Sequence, residues 1–395
     1  MISVAEATSI IQQYLYRPVK ERVKIELAEG RILAESIKAD RDFPPFDRVA
    51  MDGIAIPFKS FEEGWRDFRV ENTQTAGQPR ISLKDPHNCI EVMTGAMLPV
   101  GCDLVIRYED IQIRDKIAHI KIEDIQKGQS IHGRAHDAKK NDVLLQPGVT
   151  IRSPEVAIFA TVGRAEVEVL GIPSVAIIST GDELVDLRDT PQAHQIRRSN
   201  SYMLQAALHS MGCRSTLFHV PDSRNALEKA LIKILADHQI IISTGGVSKG
   251  KLDLVPETLE YLAIKKQFHE VSQRPGKPLW FGTGKKHIVF ALPGNPVSTF
   301  VCLYRYIKPW LLKSLGVDQP AQFAQLDKDF TFTPPLTYFL QAKVNNVNGT
   351  LIATPLEGGG SGDLANLKEV DGFLELPADK FEFREGQVFP YIAFR

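Results

Sequence analysis

Between residues 174 and 315 the chain alternates short apolar runs with helix-patterned segments, and this alternation constrains the fold more than any other feature. SVAIIS (174–179), STLFHV (215–220), QIIIS (239–243) and IVFAL (288–292) read as strands apolar on both faces. Such strands need helices above and below them, which predicts a doubly wound, mostly parallel sheet. The intervening helices have their own signals. One is patterned over 200–211, and another carries Leu227, Leu231, Ile234 and Leu235 on one stripe, with Asp222 or Ser223 as its cap. Ser298 is placed to cap a third, TFVCLYRYI.

The flanking segments have different rhythms. Ser3 followed by Glu6 is a capping box that opens a helix with Ile10, Ile11, Tyr14 and Leu15 as its apolar stripe. From about Pro44 to Gly148, β-prone runs such as IQIRDKIAHIKI (111–122) alternate with Gly and Pro turns, as in a small β-rich insert. A further helix is expected from Ser153-Pro154-Glu155. YFLQAKV, TLIATPL and GFLELP then predict a small β domain at the C-terminal end. The expected architecture is multidomain α/β plus β. An N-terminal linker domain spans 1–45 and 147–172, and a β-rich inserted domain spans 46–146. The α/β domain covers 173–318, and a C-terminal β-barrel-like domain covers 319–395.

Composition excludes several classes of function. Lys+Arg number 47 against 48 Asp+Glu, a net charge of −1, which argues against a generally basic nucleic-acid surface. No apolar run approaches the roughly 18 residues of a membrane span, and the start MISVAEATSIIQQYL lacks the marks of a secretory signal. The four cysteines are scattered without a CxxC pair, which suits a reducing cytoplasm.

Ligands of open α/β sheets bind beyond the carboxyl ends of the strands. Four loops leave the predicted strands there: TGDELVD (180–186), VPDS (220–223), TGGVSKGKLD (244–253) and LPGNPVS (292–298). Their acids are suited to a hard cation such as Mg²⁺. Their glycines let backbone N–H groups approach an anion. GGVSKGK has P-loop spacing, but Leu252 stands where the hydroxyl residue is needed, and no GxGxxG is present. In RPGKP, Arg274 and Lys277 flank a stiff turn suited to an oxyanion. A charge-assisted hydrogen bond there is worth roughly 1.5–3 kcal/mol, against about 0.3–1 for a helix terminus. The insert contributes Asp47, Asp52, Thr94, Asp103, Glu109 and Asp110. His132 and His136 have HxxxH spacing, but off a helix that spacing predicts no meeting of the imidazoles, and a structural or exposed role is expected.

PPFDRVAMDGIAI, MTGAMLPVGCDLVIRYED, ISTGDELV, STGGVSKGKLD, RPGKP and ALPGNPVS occur in the order seen in the molybdopterin molybdenumtransferases. The chain thus resembles the MoeA family, which includes the gephyrin E domain, over nearly its whole length. The resemblance implies a MogA-like α/β domain and an enzyme that inserts molybdate into adenylylated molybdopterin and releases AMP, with Mg²⁺ assisting. It also implies a cytoplasmic homodimer with a composite cleft, a MogA-type adenylyltransferase as partner, and no nucleic-acid or membrane partner. By position it marks Asp52, Thr94, Glu183, Asp222 and Asp253 as catalytic, with Asp222 and Asp253 at the metal. Gly245, Gly246, Ser248, Arg274, Lys277, Pro293, Pro296, Ser298 and Asp137 are marked as substrate-binding.

The chain also departs from the family pattern. Glu270 replaces a Lys, Arg274 a Lys, Arg198 an acid and Gln341 an Arg. SIHGRAHD (130–137) keeps only the final acid of NxRxxGED. These departures motivate an alternative, a catalytically weakened paralogue that binds the pterin or serves as a scaffold. An adenylyltransferase is a third option, since the related α/β domain serves both activities.

Overall fold

A computed structural model of the chain describes residues 1–247 and 254–395. It divides into two compact units, one of Met1–Arg22, Gly30–Ala34 and Glu168–Arg395 and the other of Val23–Glu29 and Glu35–Val167. Among the described residues no helix is long and apolar enough to cross a membrane.

The first unit is built on a six-stranded sheet: β1 (Ser174–Thr180), β2 (Arg214–Val220), β3 (Ile240–Thr244), β4 (Lys265–His269), β5 (Trp280–Thr283) and β6 (Ile288–Leu292). The spatial order is β2-β1-β3-β6-β5-β4. The first four strands in that order are parallel, and β5 and β4 extend the sheet antiparallel. Side chains alternate across a strand, so Val175 and Ile177 enter one core while Ala176 and Ile178 enter the other. Leu204 and Leu208 of helix Ser199–Ser210 cover the first face, and Leu227, Leu231 and Ile234 of helix Arg224–Asp237 cover the second. The doubly wound expectation is met.

The N-terminal helix Val4–Gln12 packs into the first core, and its capping box is present: the Glu6 N–H donates to Ser3 Oγ at 3.1 Å. At the C-terminal end, strands Gln322–Leu326, Thr337–Val347, Thr350–Pro355, Gly372–Leu376 and Val388–Ala393 form a sheet in which Thr337–Val347 also pairs with Gly372–Leu376. That pairing closes a five-stranded barrel.

The second unit centres on another six-stranded sheet. It includes Gly53–Ile56, Asp67–Gln74, Asn88–Val92 and the hairpin Ile111–Arg114/Ile117–Ile120. The helix expected near residue 153 runs from Ser153 to Thr161.

Phe290 of β6 is fully buried, with its ring centroid 5.0 Å from Phe281 and 5.2 Å from Trp310. Phe290→Ala is expected to destabilise the first unit by about 3–5 kcal/mol, read as an earlier urea transition of the intrinsic Trp fluorescence.

Candidate active site

Strand register assembles the site. Thr180 lies opposite Val220, Ser179 opposite Thr244, and Thr244 opposite Leu292. The loops that begin at Gly181, Pro221, Gly245 and Pro293 therefore leave the sheet side by side. They line a cavity of about 380 Å³ with Glu183, Asp222, Gly245, Gly246, Pro278, Pro293 and Asn295 in its wall. Gly245 and Gly246 both have positive φ, and a Cβ on Gly245 would stand 2.7 Å from the Thr180 carbonyl oxygen. No other residue fits that turn without a shift.

Asp222 lines the cavity, and its backbone N–H donates to Asp182 Oδ1 at 3.1 Å. It does not cap the following helix; Ser223 occupies the cap position, without a side-chain cap bond. Thr180 Oγ1, also in this wall, is buried and has no hydrogen-bond partner among the described residues. Ser248 and Asp253 lie outside the described residues.

A second cavity, of about 370 Å³, is lined by Arg274, Lys277, Ser298, Tyr338, Gln341 and Ser361, and it shares Pro278, Pro293 and Asn295 with the first. Its cations come from a turn tied to the barrel: Gln273–Arg274 pairs in parallel with Thr337–Tyr338. Buried Gln273 holds the turn from within, its amide donating to the Pro275 and Gly276 carbonyls at 3.2 and 3.1 Å. Ser298 is 4% exposed and sits inside the first turn of helix Pro296–Cys302. It is therefore not the helix cap, a correction to the sequence reading; Asn295 holds that position. Asn295 Nδ2 instead donates to Ser361 Oγ at 2.8 Å.

Pro296 opens the helix and lines an adjoining cavity of about 410 Å³ with Glu183, Arg198 and Asn200. The departures from the family pattern separate by location. Gln341 lines the cationic cavity and accepts from Asn366 Nδ2 at 2.7 Å. Glu270 is in the wall of neither the acidic nor the cationic cavity. Arg198 pairs with Asp186.

The other marked residues belong to the second unit. Val49 gathers them: its N–H donates to the Ala96 carbonyl and its carbonyl accepts from Gly95, both at 2.9 Å, and it pairs with Ile131. The segments bearing Asp52, Thr94 and Asp137 thus meet at one place. Thr94 donates to Asp52 Oδ1 from both its backbone N–H and its hydroxyl, each at 2.6 Å. These two bonds hold the Asp52 carboxyl below the ordinary carboxylate range. The following Gly53 is required by packing, because a Cβ there would lie 1.9 Å from the Ile106 carbonyl oxygen.

His132 Nε2 and His136 Nδ1 lie 2.8 and 3.2 Å from Asp137 Oδ1, and this hydrogen bonding lowers the Asp137 carboxyl. The expectation that HxxxH brings imidazoles together only on a helix fails: a turn around Gly133–Ala135 sets the two ring centroids 4.7 Å apart. The residues that sequence reasoning passed over are Thr180, Gln273, Asn295 and Tyr338. Of these, Asn295 had a signal, as the central polar residue of the LPGNP turn.

Comparison with known proteins bears on the whole chain. Residues 2–163 match the MoeA N-terminal region (domain I and II), residues 176–313 a probable molybdopterin binding domain, and residues 324–394 the MoeA C-terminal region (domain IV). The chain is 41% identical over 399 aligned positions to a molybdopterin molybdenumtransferase of Synechocystis, covering 100% of both chains. It is 31% identical to that of Bacillus subtilis, covering 100% of this chain and 94% of the relative. A crystal structure of the molybdopterin biosynthesis MoeA protein from Pyrococcus horikoshii OT3 matches with a TM-score of 0.84 at 27% identity, covering 100% of each chain. The chain therefore belongs to the MoeA family of molybdopterin molybdenumtransferases.

Proposed function

We propose that this protein is a molybdopterin molybdenumtransferase of molybdenum cofactor biosynthesis. It takes adenylylated molybdopterin and molybdate as substrates, transfers molybdenum to the pterin dithiolene and releases AMP. The observation that carries this reading is the pair of adjoining cavities, one lined by Glu183, Asp222 and the Gly245–Gly246 backbone, the other by Arg274, Lys277 and Ser298.

The Gly245–Gly246 turn lets a phosphate oxygen approach the backbone at Gly246, while the Gly245 N–H donates to the Leu292 carbonyl at 3.2 Å. Arg274 and Lys277 bind molybdate through ion-pair hydrogen bonds, and the uncharged Ser298 hydroxyl donates one more to the anion. The acid-lined cavity fits Mg²⁺, since its side chains offer hard oxygen donors; Asp222 with Asp253 would hold the ion, which supplies positive charge opposite a phosphate. Asp52, kept ionised by Thr94, would serve as a fixed negative charge that orients the water that displaces AMP by accepting a hydrogen bond from it. Asp137 contributes a further polar contact to the substrate.

The same reading carries the rest of the family's organisation. The four-domain division with bounds at 45/46, 146/147, 172/173 and 318/319 belongs to it. So does a cytoplasmic homodimer in which the α/β domain of one subunit faces the insert of the other. A MogA-type adenylyltransferase delivers the adenylylated pterin.

The direct test is AMP release from adenylylated molybdopterin when molybdate is added. Binding of the pterin with no molybdate-dependent release rejects the assignment and favours the scaffold alternative. Arg274→Ala and Lys277→Ala are each expected to raise the molybdate concentration for half-maximal rate about 10–150-fold, the equivalent of roughly 1.5–3 kcal/mol.

Thr94→Val removes the hydroxyl bond that does most to hold the Asp52 carboxyl down. Its titration midpoint should rise in carbon-13 NMR, and the acid limb of the rate profile should move to higher pH with it. The stability from ionised Asp52 is present at neutral pH and lost as pH falls through its lowered midpoint, so the variant should lose that contribution at a higher pH. Finally, inactive Asp52→Asn and Asp222→Asn chains mixed as dimers should recover activity in the heterodimer. No recovery argues against a composite site.

A further inference from the structure

We propose that His132, His136 and Asp137 form a binding site for a divalent transition-metal ion of the Zn²⁺ class, separate from the acid-lined Mg²⁺ position. Among the described residues this is the one group of three potential ligands whose donor atoms all lie within 4.8 Å of one another. His132 Nε2 is 2.8 Å and His136 Nδ1 3.2 Å from Asp137 Oδ1. A tetrahedral ion with bonds of about 2.0–2.1 Å sets its ligand atoms about 3.3 Å apart. Both distances to Asp137 Oδ1 lie a little below that value, so small rotations of the imidazoles away from the carboxylate would admit an ion among the three atoms.

The loop is pinned around this arrangement. The Arg134 N–H donates to Asp47 Oδ1 at 2.8 Å, and its Nε donates to Asp42 Oδ2 at 2.7 Å. The Ala135 and Asp137 N–H groups donate to the carbonyls of Pro44 and Phe43 at 3.0 and 2.9 Å. Ala135 takes φ +60°, which reverses the chain between the two histidines. Asp42 also keeps the Arg134 guanidinium, the cation nearest in sequence, occupied. Strand pairing of His132 with Arg48 fixes the other end. The ligand set is thus held by bonds that do not use the ligand atoms.

The donor set selects the class of ion. Two imidazoles and one carboxylate favour Zn²⁺ and its first-row neighbours over Mg²⁺ and Ca²⁺, which take oxygen. The side chains of His136 and Asp137 are 70% and 53% exposed, so one face is open to solvent for entry of the ion and for a water as fourth ligand. His132 and His136 stand where the family pattern has Arg and Glu. That exchange replaces an oppositely charged pair with a pair of metal ligands, and it supplies a fold-preserving control.

The test uses the tag-free full chain in millimolar Mg²⁺, so that oxygen-donor sites are filled, and titrates Zn²⁺ by calorimetry. One site per chain is expected. His132→Ala and His136→Ala should each weaken it at least about tenfold, as loss of one ligand of three requires, and H132R/H136E should abolish it. Co²⁺ bound at the same site should give visible absorption that is absent from H132R/H136E. Zn²⁺ affinity unchanged in H132R/H136E, or lost on only one of the two single replacements, overturns the three-ligand site. Circular dichroism that matches the parent chain confirms that the variants are folded. Because the readout is metal binding, a failure here is distinguishable from a failure of molybdenum transfer.

Discussion

The register of four parallel strands is the constraint on which the candidate site depends. A parallel pair fixes which residues leave the sheet together. Here the pairings Thr180–Val220, Ser179–Thr244 and Thr244–Leu292 align four loops whose origins span more than a hundred residues of sequence. The register is itself locked by burial on both faces. A slip of one residue would send Ile177 and Ile242 to the core occupied by Ile178 and Ile241, and would invert both cores together. The positions of Glu183 and Asp222 are therefore maintained by apolar residues that never touch a ligand.

The cationic side is anchored differently. Arg274 and Lys277 lie after strand β4, on a turn outside the register of the six-stranded α/β sheet. The turn is fixed by its pairing with Thr337–Tyr338 of the barrel and by Gln273, whose amide carries the bonds that the turn's backbone would otherwise lack inside the protein. The barrel thus serves as the second wall of the cationic cavity. Closing a sheet onto itself also removes exposed edges.

Much of this was legible in the sequence because the central strands are continuous apolar runs and the loops after them carry chemical residues. The capping box at Ser3, the helix from Ser153 and the β-prone run at 111–122 were likewise encoded locally. Other parts had no local signal. Strand β4, KKQFH, has only Phe268 buried, so its polar text reads as loop. Strand β5 is four residues long and contains Gly282. Ser298 has the residue type of a cap, but Pro296, with its fixed φ, opens the helix two residues earlier. Asn295 acts through a partner distant in sequence, Ser361, which no spacing rule reaches, and Gln273 acts on the backbone carbonyls of its own turn, which no residue-type pattern marks. His132 and His136 meet through a positive-φ residue that is not a glycine, Ala135, a conformation that propensity disfavours.

The separation of charge within the site follows from the residues between its two halves. Acids and cations placed freely in one cleft would pair with each other; at 4 Å and an effective dielectric of about 20 the attraction is about 4 kcal/mol. Such internal pairs would have to be broken before a substrate could bind. The shared wall of Pro278, Pro293 and Asn295 holds the two halves apart with fixed φ angles and no ionisable group. On the cationic side the Arg274 guanidinium lies 5.9 Å from the Phe332 ring centroid, an attraction that orients it without neutralising it. Among the described residues neither Arg274 nor Lys277 is drawn into an ion pair. The two halves therefore present fields of opposite sign in a fixed order, and the uncharged divider between them is what makes the cleft directional.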